Sequence, residues 1–316
     1  MKLENEKFHQ GLTVALLALL LLALTAADLV KPDRLFSETE NRILAQKPES
    51  SLENILSGGY EEDYESYATD QFVSRDRWVA MKTRMDILLQ KKLIKGVYLG
   101  QDGYLIEQHL PGNYDQEKVS KRLDQLLGLT EQYPGTMVML VPTADNILVD
   151  KLPPHAVSFD QRELLARVRE KIGEEHVLDL FPILEKHREE QIYYRTDHHW
   201  TTLGAYYGYQ QWTRAMDYPP RNFDPQDLVT VSDSFLGTLH SRLNLPMEAD
   251  EIQIFPRTVS SRVRVVYDFT REAVGYYEPS YLETKNQYGY FLDDNHGFVE
   301  IDTAYVAQDR ELFLIK

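Results

Sequence analysis

The chain has 316 residues, 43% hydrophobic and 27% charged, enough for one large domain or two smaller ones with a real core. Its 34 basic against 50 acidic side chains leave a formal net charge of −16, which excludes a nucleic-acid binder and a domain that docks on anionic lipid through a basic face. It contains no cysteine, so disulfides, thiolate nucleophiles and zinc–thiolate centres are excluded as well.

Leu12 to Ala27 is an apolar run of about 16 residues, extending to Val30 if Asp28 is accepted at an interface. That is close to the short limit of a membrane span, and also the length of a long signal-peptide core. Lys2 and Lys7 are offset by Glu4 and Glu6, so the flanking charge gives a weak orientation signal. The expectation is a signal-anchor helix over residues 1–30, membrane-bound through residues 12–30. The rest of the chain would then lie outside the cytoplasm. The alternatives are a cleaved signal followed by secretion, with Thr25-Ala26-Ala27 as small cleavage-site residues, and a buried core helix.

Residues 31–95 read as a tether and helical lead-in. Pro32, Pro48 and Ser57-Gly58-Gly59 punctuate a polar stretch, and Glu61 to Gln90 then reads as helix. Tyr64, Tyr67, Ala68 and Phe72 recur at helical spacing. After a break at Val73-Ser74, so do Trp78, Met81, Met85, Leu88 and Leu89, which predicts a packing stripe.

Residues 96–316 carry an α/β pattern. Gly96–Gly100 and Tyr104–Ile106 flank Asp102-Gly103, a hairpin signal. Val119 to Tyr133 is an amphipathic helix. Thr136 to Val141 is uncharged and bounded by Gly135 and Pro142, as a strand buried on both faces reads. Pro142 to Asn146 is then the loop at its C-terminal end, the usual place for site residues in an open α/β sheet. A helix over Phe159–Ile172, a strand at His176–Leu180, a helical turn at Phe181–Glu190 and a helix over Leu203–Met216 follow. Residues 220–275 break the rhythm with strand-like pieces at Val229–Ser232, Ile252–Phe255 and Arg262–Tyr267, expected to be a β-rich insertion. Glu311 to Lys316 again reads as a buried strand.

The densest chemistry is in Tyr193-Tyr194-Arg195-Thr196-Asp197-His198-His199-Trp200, directly before a helix start at Thr201. Asp197 and His199 are two apart, so in a turning or extended backbone both face one side and His198 the other. The carboxylate is then placed to hold Nδ1 of His199 and leave Nε2 as a general base. Three readings stay open on the residues alone. They are a catalytic dyad, a structural cluster, and a metal site built from Asp197 with His198 or His199 and a distant His187 or His296. Metal sites need three or more converging ligands, and no metal or cofactor is expected. Ser234 is the tempting nucleophile, but Ser232 stands where a glycine would precede it, and a loop or N-cap role is expected instead. Asn295 is a candidate substrate or oxyanion contact on a loop after a strand. Arg195 is a candidate for substrate contact or for pairing with a carboxylate. The 20 tyrosines offer flat rings with a polar tip, a surface suited to sugars.

The sequence resembles the Firmicute DHHW protein family, related to the SGNH hydrolase-like domains of alginate O-acetyltransferases. The resemblance is carried by Phe36-Ser37-Glu38 with Glu40-Asn41-Arg42, Asp70-Gln71-Phe72 with Arg75-Asp76, and Val97–Gly100 with Asp102–Leu105. It continues through Val141-Pro142-Thr143, Leu152-Pro153, Tyr194–Ala205, Phe235-Leu236-Gly237-Thr238 and Asn295-His296. It implies a three-layer SGNH hydrolase-like α/β fold and an extracytoplasmic, membrane-tethered O-acyltransferase or esterase acting on cell-surface polysaccharide. A membrane-bound O-acyltransferase is the implied partner and acyl source. It also implies a Ser-His-Asp mechanism with Asp197 as orienter, His199 as base and His198 at a variable position. The serine is expected after a strand like Leu312–Lys316. On that expectation the domain is C-terminally incomplete, truncated before its nucleophile, and inactive as it stands. The alternative function is a non-catalytic carbohydrate-binding or polysaccharide-assembly factor.

Overall fold

The protein is described by a computed structural model covering residues 2–256 and 263–303. Contacts divide it into two units. One runs to Leu89 and takes in Leu243–Leu245; the other begins at Gln90.

The first unit opens with helix α1 (Lys2–Val30). Its His9–Val30 segment has a mean hydropathy of 2.4 and is not buried, so by length and composition it is able to cross a membrane. Strands β1 (Phe36–Ser37) and β2 (Arg42–Ile43) form an antiparallel pair, followed by helices α2 (Leu52–Leu56), α3 (Gly59–Gln71) and α4 (Arg75–Leu88). The break expected at Val73-Ser74 is present, with Ser74 at φ 55°. The packing stripe is not. Tyr64, Phe72, Trp78, Met81, Met85 and Leu88 are exposed, while Asp70, Gln71, Thr83 and Asp86 are buried. A polar clamp decides this. Asp70 accepts from both terminal nitrogens of Arg42 at 2.7 and 2.5 Å and from the Ala45 amide at 2.8 Å. The Arg42 hydrogen bond holds the Asp70 pKa below the usual carboxylate range. Gln71 ties the backbone of Arg34 and Ala45, and Arg75 pairs with Glu40 at 2.6 Å. Helical spacing announces a helix; here the hydrogen-bonding groups at its end choose the face that is covered.

The second unit starts with an antiparallel meander, β3 (Leu93–Ile94), β4 (Val97–Leu99) and β5 (Leu105–Glu107). Asp102 and Gly103 turn it in the left-handed region, at φ 53° and 77°. Helix α5 (Gln116–Gln132) is capped by Asp115, which accepts from the amides of Glu117 and Lys118. Strand β6 (Val138–Leu140) runs parallel to β7 (Val177–Asp179), in register Val138 to Val177. Between them come α6 (Ala144–Ile147) and α7 (Gln161–Ile172), the latter capped by Asp160. β6 is shorter than the expected Thr136–Val141, and each of its residues is half-buried. Among the described residues its one ladder partner is β7. Helices α8 (Phe181–Lys186) and α9 (Thr202–Ala215) complete this layer. Its core includes Ile106, Leu148, Leu165, Leu180, Leu184 and Tyr193.

β8 (Val229–Phe235) and β9 (Asp250–Ile254) form a bulged antiparallel pair, with α10 (Thr238–Leu243) in the connection. A second cluster of Tyr194, Phe235, Ile252, Ile254 and Tyr290 lies beneath them. β10 (Val263–Tyr267), β11 (Arg271–Val274) and β12 (Val299–Thr303) form a sheet in the order β11-β10-β12. Ser234 is neither loop nor N-cap; it lies within β8, where its hydroxyl contacts Ser232 and the Gln287 amide. The strand expected at Glu311–Lys316 lies outside the described residues.

Candidate active site

The Tyr193–Trp200 stretch folds back on itself. Tyr193 bridges Trp200 in antiparallel fashion. The Tyr194 amide donates to the His199 carbonyl at 3.2 Å, and the Thr201 amide to that of Ile192 at 2.9 Å. Arg195 to His198 are thereby presented as a loop. Thr201 caps α9 through the Gly204 amide. Gly204 is required there, because a side chain would run into the Ile192 carbonyl and come within 3.1 Å of Trp200 Cβ.

Asp197 is the buried centre, 2% exposed. Its Oδ1 accepts from His199 Nδ1 at 2.6 Å and from the His199 amide at 3.0 Å. Its Oδ2 accepts from the Thr238 amide at 2.7 Å and from the Thr238 hydroxyl at 3.0 Å. Burial alone would raise its pKa, but the His199 hydrogen bond, the neighbouring imidazoles and the Thr238 amide outweigh that and hold it far below the usual range. Asp197 is therefore ionised, His199 Nδ1 is the donor, and a neutral His199 carries its lone pair on Nε2. Tyr288 stacks on the His199 ring at 4.3 Å and 14°, its own pKa pushed up to about 12 by burial. Lys285 donates to the Leu236 carbonyl at 2.6 Å, and burial lowers its pKa.

Asp250 supports this loop from behind. It accepts from the amides of Arg195 (3.0 Å) and Thr196 (2.7 Å), the Thr196 hydroxyl (2.7 Å) and Gln191 (2.9 Å). The Thr196 hydroxyl in turn accepts from the Gly237 amide at 3.0 Å. Gly237 lies directly against Asp197, whose side-chain atoms occupy the position a Cβ would take. The Phe235-Leu236-Gly237-Thr238 motif thus supplies the close approach and the cap that Asp197 needs.

Of the other candidates, Arg195 lies over the Tyr104 ring at 5.8 Å and contributes to the electrostatics of Asp250. Asn295 is exposed near β12 and donates to Asp294 at 3.1 Å. His187 bonds Glu190 and stacks on Tyr207, and His296 sits between Asp268 and Asp293. Neither is brought to Asp197. Asp197, His198 and His199 are close enough together to be weighed as metal ligands. Both Asp197 oxygens already accept two hydrogen bonds each, so a cation would be left with two imidazoles, short of the usual three ligands.

The second unit holds another aspartate–histidine pair. His109 Nδ1 faces the fully buried Asp145 at 3.3 Å. That contact raises the His109 pKa above the ordinary imidazole value. For Asp145, burial pushes upward, but His109 and Thr143 win and its pKa is lowered. The histidine's contribution is complete below about 6.5 and lost as pH rises through its raised folded value. The aspartate's is complete above about 3.9 and lost as pH falls. We therefore expect His109→Ala to lower stability most between about pH 4 and 6.5, and progressively less above that window. Denaturation midpoints measured across pH check this.

Fold and site together define an SGNH hydrolase-like domain of the acyltransferase type. The chain belongs to the family described as the SGNH hydrolase-like domain of acetyltransferase AlgX, whose profile matches residues 106–269, just over half of its length. That stretch includes Asp197, His199, Thr238 and Asp250, with Tyr288 beyond it. The chain is also similar in structure to a DHHW family protein from Eubacterium siraeum, at 21% identity over 66% of this chain and 71% of that one, with a TM-score of 0.51. It resembles the O-acetyltransferase domain of Pseudomonas putida AlgJ at 24% identity, covering 50% and 63%, with a TM-score of 0.40. Bacillus cereus PatB1, solved with a sulfonyl adduct, aligns at 15% identity over 67% and 76%, with a TM-score of 0.49. No curated protein matches.

Proposed function

We propose that this chain is an extracytoplasmic O-acyltransferase or esterase domain, tethered by α1 and working on the hydroxyls of a cell-surface polysaccharide. One observation carries the reading. A buried, ionised Asp197 with every acceptor position occupied holds His199 by Nδ1 at 2.6 Å and leaves Nε2 as a base. In this reading His199 takes the proton of a serine hydroxyl as it attacks the ester carbonyl. It returns that proton to the leaving oxygen and repeats the cycle with the acceptor hydroxyl. Asp197 orients the imidazole and stabilises its charged form, and Tyr288 fixes the ring plane. An acyl supply from a membrane-bound O-acyltransferase suits the apolar helix at the N-terminus.

A second reading, glycan binding without turnover, is favoured by a different observation. Among the described residues no serine hydroxyl bonds to His199 Nε2. Hydrolysis of p-nitrophenyl acetate by the full-length protein separates the two. Catalysis predicts that His199→Ala lowers the rate by roughly 100-fold or more. Equal background rates in both proteins sink the catalytic reading and leave binding.

A further inference from the structure

His198 stands beside the dyad without belonging to it. Its Nδ1 lies 2.9 Å from the Thr238 hydroxyl oxygen, and that hydroxyl lies 3.0 Å from Asp197 Oδ2. A threonine hydroxyl has one hydrogen to give. Hydrogen bonds to an ionised oxygen are roughly twice as strong as neutral ones. The hydrogen therefore goes to Asp197, the threonine oxygen accepts, and His198 Nδ1 is left to donate. That fixes the tautomer, with hydrogen on Nδ1 and a bare Nε2. Burial lowers the His198 pKa, with His199 and Arg242 acting in the same direction and Asp197 and Glu107 opposing, and the net shift keeps the ring neutral at physiological pH.

One carboxylate thus orients two imidazoles, His199 directly through Oδ1 and His198 through the Thr238 hydroxyl on Oδ2. Each ring turns Nδ1 toward Asp197, so each Nε2 points away from it. The ring centroids are 4.0 Å apart and the planes are tilted by 35°. Both side chains are open to solvent, at 39% for His198 and 35% for His199. The rings are close enough together for one small molecule to meet both. Glu107 and Arg242, which also act on His198, are paired with each other at 2.5 Å.

We propose that His198 is a second substrate-binding group of this site, whose bare Nε2 accepts a hydrogen bond from the hydroxyl next to the one being acylated, so that the site selects acceptors with vicinal hydroxyls. This rests on the acyl-transfer reading above. In the transfer step the reacting hydroxyl oxygen bonds to the acyl carbon, and its proton passes to His199 Nε2. The bond from the acyl carbon to its carrier oxygen breaks, and that oxygen takes the proton from His199. The reacting hydroxyl has no second hydrogen for His198; its neighbour supplies one. A monohydric alcohol has no hydrogen left for His198 once its one proton goes to His199.

Two measurements on the full-length protein test this. Nitrogen NMR of the His198 ring should show a protonated Nδ1 and a bare Nε2. Thr238→Val should alter that tautomer and Thr238→Ser should restore it. Acyl transfer from p-nitrophenyl acetate is then compared for ethylene glycol and ethanol at equal concentration. The wild type should favour ethylene glycol about twentyfold, the roughly tenfold worth of one good hydrogen bond times the twofold statistical value of two hydroxyls. His198→Phe keeps a ring beside His199 but removes the nitrogen, and should reduce that preference to the roughly twofold statistical value of having two hydroxyls. A wild-type ring protonated on Nε2 overturns the proposal, and so does a diol preference that survives His198→Phe. Turnover that is the same in wild type and His199→Ala overturns the acyl-transfer reading itself, and the acceptor role of His198 with it.

Discussion

Replacing Asp250 by alanine should destabilise the protein by roughly 3–5 kcal/mol, because it strips several donors at once in a buried place. Thr196 is fully buried, and its amide and hydroxyl both end on Asp250 Oδ2, while the Arg195 amide and Gln191 end on Oδ1. Thr196 has no solvent exposure through which water could take over, so its two lost bonds cost far more than their net worth, while the exposed Gln191 amide can turn to solvent. The site should fail along with the stability, since Thr196 immediately precedes Asp197 and its hydroxyl also positions Gly237. Urea denaturation gives the stability change. The downfield proton of the Asp197–His199 hydrogen bond, read by NMR, reports the site. A midpoint shift below that expected for about 1 kcal/mol would mean that the loop is held elsewhere.

Gly237→Ala should be nearly as damaging for a steric reason. The added methyl group must share space with Cβ and the carboxylate of Asp197. Asp197 is unable to retreat without giving up its bonds to Thr238, and Gly237 is unable to move without losing its amide bond to Thr196. Overpacking of this kind costs about 1–3 kcal/mol in well-packed interiors. The expected result is a destabilisation in that range, together with loss of His199-dependent ester hydrolysis larger than Thr238→Ser produces. Full activity in the alanine variant would show that Asp197 has room the structure does not display.

These two residues mark where the sequence was readable and where it was not. Asp197 and His199 were readable because the chemistry of carboxylate and imidazole is local and their spacing brings them together. The Phe235–Thr238 motif was visible as part of a resemblance, but nothing in it disclosed that the glycine makes way for Asp197 or that the threonine caps both Asp197 and His198. Asp250 and Tyr288 gave no signal at all, since they reach the loop across more than fifty intervening residues and look like any strand aspartate or surface tyrosine. Alternation sends His198 to the side opposite Asp197, and the structure does not. Alternating faces hold for an extended strand, but Arg195–His198 is a loop, and His198 turns back toward Thr238. The same limit applies in the first unit. Helical spacing located α3 and α4, yet the buried face followed Asp70 and Gln71, whose partners Arg34, Arg42 and Ala45 come from a distant part of the chain.

The fold-back of Ile192–Tyr194 onto His199–Thr201 has a consequence for motion. Tyr193 is packed in the core around Leu180 and Leu184, whereas Tyr194 is packed in the separate cluster around Phe235 and Ile252. Adjacent residues therefore rivet the same short ladder into two different cores. The amides of Tyr194 and Thr201 exchange with solvent only when that ladder parts, and parting it disturbs both cores together. The loop bearing Asp197 and His199 is thus anchored at its base in two cores, and the imidazole waits for substrate in a frame already set.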